Sequence, residues 1–364
     1  MKLVPLTALT LAACGSGVHS NPSPVGENVT LRAGSHHSCL VKSDGSVWCW
    51  GRNQYGELGV PKSTDTSHPV QAQFQDAIAV SPGMQSTCGI KSDSTGWCWG
   101  RIIDGSFIPT PNALPNGDNL VQLELAEGGL CALKSDSSVW CWSRAGSPSQ
   151  LTAMQVIAKD ATQVTFDCAL MRDGTVQCWG PNNHGQLGDG TTSGTGPVQV
   201  MGLADVVEIG AGHNGNCARK RDGSVWCWGD NTAGQLGVSP TSTVCPAGNN
   251  MWPCRPTAGA IPGLPTATAM ATGGSFVITL VDDGTLVGVG DNGVGELGTP
   301  TGNCGDPLHG ACSFTPVAVP TVAQVSRFAA GDAHVCVCQS DGAVLCWGQE
   351  LPATPTVIPG VTCN

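Results

Sequence analysis

From about residue 29 onward the apolar positions come in short runs and never in the long stripes that an amphipathic helix needs. Residues 39–50, CLVKSDGSVWCW, show the unit: an apolar run, a polar turn carrying Asp-Gly, and a second apolar run. Apolar residues fill neighbouring positions of each run, which predicts a strand covered on both faces. The Asp-Gly between them predicts a tight hairpin. The unit recurs seven times, as SDGSVWCWG (43–51), SDSTGWCWG (92–100), SDSSVWCWS (135–143), RDGTVQCWG (172–180), RDGSVWCWG (221–229), DDGTLVGVG (282–290) and SDGAVLCWG (340–348). The spacing is irregular, about 37 to 61 residues. Four copies continue into a second signature: NQYGELG (53–59), NNHGQLG (182–188), NTAGQLG (231–237) and NGVGELG (292–298). A unit of this size cannot bury a face alone, so its repetition implies a solenoid or a propeller. Several strands per unit favour propeller blades.

The two signatures resemble those of the regulator of chromosome condensation repeat family, whose fold is a seven-bladed β-propeller. The resemblance covers roughly residues 29–364 and implies an all-β fold, with seven copies for seven blades. The ends of the chain agree with a closed ring. Aligning Pro355 with Pro197 sets Asn364 opposite Val206, and aligning Gly34 with Gly212 sets Val29 opposite Val207. The two terminal segments therefore abut in repeat phase and are expected to close the propeller, hiding its last edge strands. The family resemblance also implies interaction functions. Some relatives bind chromatin or act as guanine-nucleotide exchange factors for a small GTPase, and a secreted bacterial relative inhibits a β-lactamase by capping it.

Nineteen cysteines in 364 residues point to an oxidising compartment. With the turn Asp at zero, cysteines fall five residues before and five after it. The pairs are Cys39 with Cys49, Cys88 with Cys98, Cys131 with Cys141, Cys168 with Cys178, Cys217 with Cys227 and Cys336 with Cys346. A three-residue hairpin loop with Gly in the left-handed position makes each pair directly opposed, within disulfide reach. The sixth copy has Ile278 and Gly288 instead, losing both partners together. Cys245 and Cys254 share one long insertion, Cys304 and Cys312 the next, and each pair is expected to staple its own loop. Cys338 and Cys363 pair by elimination. No CxxC…CxxC or comparable ligand spacing occurs, so neither metal nor cofactor is expected.

The N-terminus reads MKLVPLTALTLAAC. A basic residue, an apolar run and Leu-Ala-Ala-Cys resemble a bacterial lipoprotein signal. Residues 1–13 are expected to be removed and Cys14 lipidated, with 14–28 as a Gly/Ser/Pro-rich tether. Attachment to a membrane then runs through the lipid alone, and the protein sits at the cell envelope or is secreted. The formal net charge of −11 argues against a nucleic-acid partner.

Ten of the eleven tryptophans lie in the repeat. Where the first of a pair is missing it is Gln177, Val287 or Leu345, mostly apolar, as packing between blades allows. His37 and His334 hold equivalent repeat positions and are read as structural. The turn aspartates need no chemistry, and the GVGDNG at 288–293 has no helix after it to bind a dinucleotide. No catalytic constellation is found, and the chain is not expected to be an enzyme.

The departures from the repeat carry the functional expectation. Residues 238–262 and 299–316 are insertions after the Gly-Glx-Leu-Gly turns of successive blades, so they share one face of the ring. The first brings Met251, Trp252 and Arg255, the second Leu308, His309 and Phe314, residue types that serve as interface anchors. Variable residues before the first hairpin cysteine are expected to ring one end of the channel: Ser35-His36, Met84-Gln85, Thr165-Phe166, His213-Asn214, Gly274-Ser275 and Asp332-Ala333. His36 and His213 are the candidates among them. The chain is thus expected to be a monomeric module that binds a protein or a glycan. An inhibitor of an enzyme is the alternative, and an exchange factor a more distant one.

Overall fold

The computed structural model describes residues 29–62, 65–102, 107–126, 129–144, 151–239, 244–247, 250–303, 310–320 and 322–363. The expected signal peptide, Cys14 and tether lie outside the described residues. Seven antiparallel sheets follow one another along the chain, six of four strands and one of five. The fold is a seven-bladed β-propeller. Blade one is Thr30–Ala33, His37–Val41, Val47–Gly51 and Thr66–Gln71, from channel to rim. The inner strands of the next six blades begin at Ala77, Leu120, Ala161, Val206, Ala267 and Val325.

The hairpins follow from local chemistry. Lys42 N donates to Ser46 O (2.9 Å) and Gly45 sits at φ +77°, closing the loop Ser43-Asp44-Gly45. The Asp44 carboxylate accepts the Ser46 amide at 2.9 Å, which is why Asp opens the turn. In blades two and three the left-handed position is held by Ser94 and Ser137, at φ 65° and 66°, a conformation that favours glycine.

The six expected cysteine pairs face each other across these hairpins and are bonded. Cys39 joins Cys49, Cys88 joins Cys98, and Cys131 joins Cys141. Cys168 joins Cys178, Cys217 joins Cys227, and Cys336 joins Cys346. Their Cα atoms lie 4.0–4.1 Å apart, shorter than most disulfides span, because directly opposed strand positions are this close. In blade six Ile278 faces Gly288, and the Ile278 side chain occupies the space that a residue larger than glycine would need. Cys245–Cys254 and Cys338–Cys363 are also bonded. The Cys304–Cys312 pairing lies outside the described residues.

The two tryptophans of a strand do different work. The second is buried between blades, and in four blades its indole N–H reaches a backbone carbonyl of the preceding blade. Trp99 donates to Glu57 O (2.8 Å), Trp142 to Pro115 O (2.8 Å), Trp228 to Gln186 O (2.9 Å) and Trp347 to Glu296 O (2.8 Å). The first is half-buried beneath a lysine ammonium: Lys42 over Trp48, Lys91 over Trp97, Lys134 over Trp140 and Lys220 over Trp226, 4.6–5.3 Å from the ring centres. Near the channel, glutamine side chains join neighbouring inner strands. Gln122 brackets Val164 at 2.8 and 3.1 Å, and Gln163 brackets Ile209 at 2.8 and 2.9 Å.

The ring closes between blades seven and one. Every blade is a contiguous stretch of chain, so the ends meet in the crossing from one blade to the next. Val29 and Leu31 pack with Ile358, Val361 and Cys363. Asp332 N donates to Gly34 O (3.3 Å), and Ser38 Oγ lies 2.7 Å from His334 Nε2.

Candidate binding face

Antiparallel strand order sends the Asp-Gly turns to one end of the ring. The loops before each hairpin and the loops after it go to the other. Backbone bonds tie these two loop sets together within a blade: Arg52 N to His36 O, Arg101 N to Gln85 O, Asp230 N to Asn214 O and Gln349 N to Ala333 O, at 2.7–2.9 Å. One face thus carries the channel loops, the Gly-Glx-Leu-Gly turns and both insertions.

At its centre the channel loops bond to one another. His213 N donates to Gly274 O, Gly274 N to Asp332 O, Asp332 N to Gly34 O and Ser35 N to Gly83 O, at 2.9–3.3 Å. This chain of bonds crosses five blades. It brings blades close enough that a Cβ on Gly331 would collide with the Gly34 carbonyl. His213 Nε2 lies 3.4 Å from Asp332 Oδ1, reaching past blade six.

Farther out, the second signature builds its own turn. The Asn carbonyl accepts the Leu amide in each copy: Asn53 from Leu58 (3.1 Å), Asn182 from Leu187 (2.9 Å), Asn231 from Leu236 (3.0 Å) and Asn292 from Leu297 (2.8 Å). The Asn amide group holds the start of the following loop, as at Pro61 O, Val238 O and Thr299 O. The insertions therefore leave from a braced position.

The blade-five insertion is a hairpin, Val244–Ala247 against Asn250–Ala260, which adds a fifth strand and is crossed by Cys245–Cys254. Strand alternation points Met251 outward, 60% exposed, and Trp252 inward. Trp252 stands against His184 of blade four with ring centres 6.1 Å apart, and His184 Nδ1 lies 3.5 Å from Asp230 Oδ1. Burial raises the Asp230 pKa, but hydrogen bonds from His184, Thr232 and Gln235 outweigh it and hold the group below its ordinary value. Arg255 belongs to the blade proper. Its Nη2 donates to Cys227 O (2.7 Å) and Gly259 O (2.6 Å), where the outer strand shifts register. In blade six, Cys304, Leu308 and His309 lie outside the described residues. Phe314 is partly exposed and covers Gly234 of blade five. His36 borders a cavity at the seven–one seam, its Nδ1 3.7 Å from Glu350 Oε1.

Two buried histidines beside that cavity make the seam acid-sensitive. Burial, with repulsion from neighbouring cationic groups, holds the His37 pKa down at about 3. Burial likewise holds His334 at about 4, against the opposing pull of Asp332. Both folded values lie below the ordinary 6.5, so the stability they contribute is present above pH 6.5 and is lost as the pH falls toward 4. Glu208 and Glu296, raised by burial to about 7, act in the opposite direction. Comparing a variant with wild type cancels those groups. His37→Gln, which keeps an N–H for Thr87, is expected to lose about 2–3 kcal/mol less than wild type between pH 7 and pH 4 in urea unfolding. Equal losses would place the acid sensitivity elsewhere.

Comparison with known proteins agrees with this architecture. The family model described as the Regulator of chromosome condensation (RCC1) repeat matches residues 44–90, 173–219 and 222–280, and a second model of the same description matches 29–57 and 206–235. Yeast RCC1 (Prp20), solved bound to Kap60, superposes with a TM-score of 0.68 at 21% identity, over 88% of this chain and 85% of that one. Human WBSCR16 gives 0.70 at 18% identity, over 86% and 94%. The ectodomain of the Arabidopsis thaliana receptor kinase ACR4 gives 0.52 at 18%, over 94% and 99%. At these identities the likeness is one of fold. Together, the matched stretches and the seven blades show that the chain carries regulator of chromosome condensation repeats on a seven-bladed propeller.

Proposed function

We propose that this protein is a non-enzymatic interaction module held at a bacterial cell envelope by a lipid on Cys14, and that its loop-bearing face captures a protein partner. The observation that carries the reading is the blade-five hairpin. It is stapled by Cys245–Cys254, braced on His184 through Trp252, and presents Met251 to solvent. A rigid apolar anchor on a preorganised loop lowers the ordering cost of association. The fold is in keeping with this use: the yeast relative was solved bound to Kap60, and its binding to Gsp1p and histones has been examined.

The test is in-cell crosslinking of the full chain followed by mass spectrometry. Met251→Asp is expected to lower partner yield at least about tenfold, the equivalent of about 1.4 kcal/mol. Cys14→Ser is expected to release the chain from the membrane while leaving the crosslink. Unchanged yield with Met251→Asp would reject the hairpin as the capture element.

A further inference from the structure

Blade seven breaks the pattern of the loop-bearing face. Where four blades carry the Gly-Glx-Leu-Gly turn, it runs Gly348-Gln349-Glu350-Leu351-Pro352 and turns back at once, with Gly348 N on Pro352 O at 3.1 Å. The rest of the seam is built as though the turn were there.

Two of these turns are gripped from the next blade at three points, and the blade-five turn at the third of them only. Trp99 Nε1 and Thr87 Oγ1 both donate to Glu57 O, each at 2.8 Å. Trp228 Nε1 and Asn216 Nδ2 both donate to Gln186 O, at 2.9 and 3.1 Å. The third point is an outer-strand residue laid on the turn glycine: Pro109 on Gly56, Pro256 on Gly185 and Phe314 on Gly234. Strand register and repeat position assign the corresponding residues of blade one as Trp50, Ser38 and Ser67. All three border a cavity of about 330 Å³, with His36 and His37 on its wall and Glu350 at its rim.

Among the described residues, four polar atoms on this wall are buried without a hydrogen-bond partner, Ser35 Oγ and His36 Nδ1 being two of them. Trp50 is 2% exposed, and its Nε1–H finds no acceptor. The fourth is His37 Nδ1. Thr87 gives its one hydroxyl proton to Glu57 O, so His37 Nε2 must donate to Thr87 Oγ1 (2.7 Å). Burial keeps the ring neutral, and Nδ1 is then a bare acceptor. A buried donor left unsatisfied is unfavourable, so a ligand oxygen at Trp50 would recover a bond the seam is built to make.

We propose that the seven–one seam is a binding site for a neutral peptide turn of the Gly-Gln-Leu-Gly kind, presented by a partner protein, whose Gln carbonyl accepts from Trp50 Nε1 as Gln186 O does from Trp228. A peptide group matches the wall, offering an acceptor to Trp50 and an N–H to His37. The carboxylates of Glu350 and Asp65 at the rim disfavour an anion. The volume lies at the small end of ligand sites and suits a few residues of chain. This site is separate from the blade-five hairpin and does not depend on it.

The probe is the acetylated, amidated heptapeptide Asn-Asn-His-Gly-Gln-Leu-Gly, titrated into the full chain by calorimetry, with the reversed sequence, acetate and glucose as controls. Saturable binding of the forward peptide is expected. Trp50→Phe, which keeps the ring but removes the donor, is expected to weaken it at least about tenfold. Ser67→Trp, which fills the rim, is expected to abolish it. Circular dichroism and the melting temperature report whether each variant folds. Met251→Asp is expected to leave peptide affinity unchanged, which separates this site from the hairpin. No saturable heat at millimolar peptide, equal binding of the reversed sequence, or full affinity in Trp50→Phe would each overturn the proposal. Binding of glucose or acetate in place of the peptide would overturn the ligand class.

Discussion

Trp228→Ala is expected to lower stability by about 3–5 kcal/mol, and Trp228→Phe by about 1–2 kcal/mol. The side chain is fully buried among Leu187, Val200, Leu203 and Ile209, between blades four and five. Alanine removes that contact and leaves a void that rigid blades fill poorly. Phenylalanine keeps most of the contact and loses the bond from Nε1 to Gln186 O. That carbonyl retains Asn216 Nδ2, which keeps the cost of the conservative change modest. Trp50→Phe is the decisive comparison. Trp50 holds the same strand position but has no acceptor among the described residues, so the change removes an unsatisfied donor and is expected to be neutral or slightly stabilising. Urea unfolding of the oxidised protein, followed by circular dichroism, measures all three. Equal losses for the two phenylalanine variants would show that the indole bonds contribute nothing across the seams.

The sequence made the hairpins legible because their chemistry is local. Asp-Gly sets the loop, the loop sets the register, and the register sets Cys39 opposite Cys49. The same register sets Cys88 opposite Cys98 and Cys131 opposite Cys141, even where serine replaces the turn glycine. Ile278 and Gly288 were informative for the same reason, since opposed positions change together. Ring closure was legible because Val29 and Asn364 end in complementary repeat phase. The seams were not legible. The acceptor of Trp99 is the carbonyl of Glu57, and a backbone atom leaves no mark in the side-chain pattern. The lysines over Trp48, Trp97, Trp140 and Trp226 do recur in the sequence, but a charged residue before a turn reads as solvated surface.

The candidate site was legible in outline only. Insertions 238–262 and 299–316 do leave from equivalent turns, and their shared face followed from that. The fate of individual side chains depended on the outer strand, whose register carries no motif. Arg255 reads as a free anchor, yet its guanidinium is occupied by Cys227 O and Gly259 O where that strand bulges. Phe314 reads as an exposed loop residue, yet it holds the position of Pro109 and Pro256 and covers a turn. The seam cavity could not be read from the missing signature in blade seven alone. Blades two and three lack it too, and for Trp142 the acceptor is supplied by Pro115 O instead.

Replacing Cys338 and Cys363 together with serine is expected to cost about 3–4 kcal/mol, against about 2–3 kcal/mol for the Cys39–Cys49 pair. The difference comes first from loop length. The sequence separation is 25 residues for Cys338–Cys363 and 10 for the hairpin bridge, so its loss frees more of the unfolded chain. It comes second from position. Cys363 follows the outer strand of blade seven and is tied back to Cys338 in the second strand, whose other cysteine, Cys336, is already held by Cys346. No peptide bond crosses the seven–one seam, and the ends are held there by Val29 and Leu31 packing on Ile358 and Val361. A hairpin bridge removed from blade one leaves a two-strand ladder still closed by its own turn. The terminal bridge, once removed, leaves a last strand that can peel away and expose the inner strand of blade one. Hydrogen exchange should therefore quicken at both Thr30–Ala33 and Thr356–Thr362 in the terminal variant, at opposite ends of the chain. In the variant lacking Cys39 and Cys49 it should quicken only around that hairpin. Faster exchange confined to Thr356–Thr362 would mean that the bridge secures its own strand without holding the ring closed.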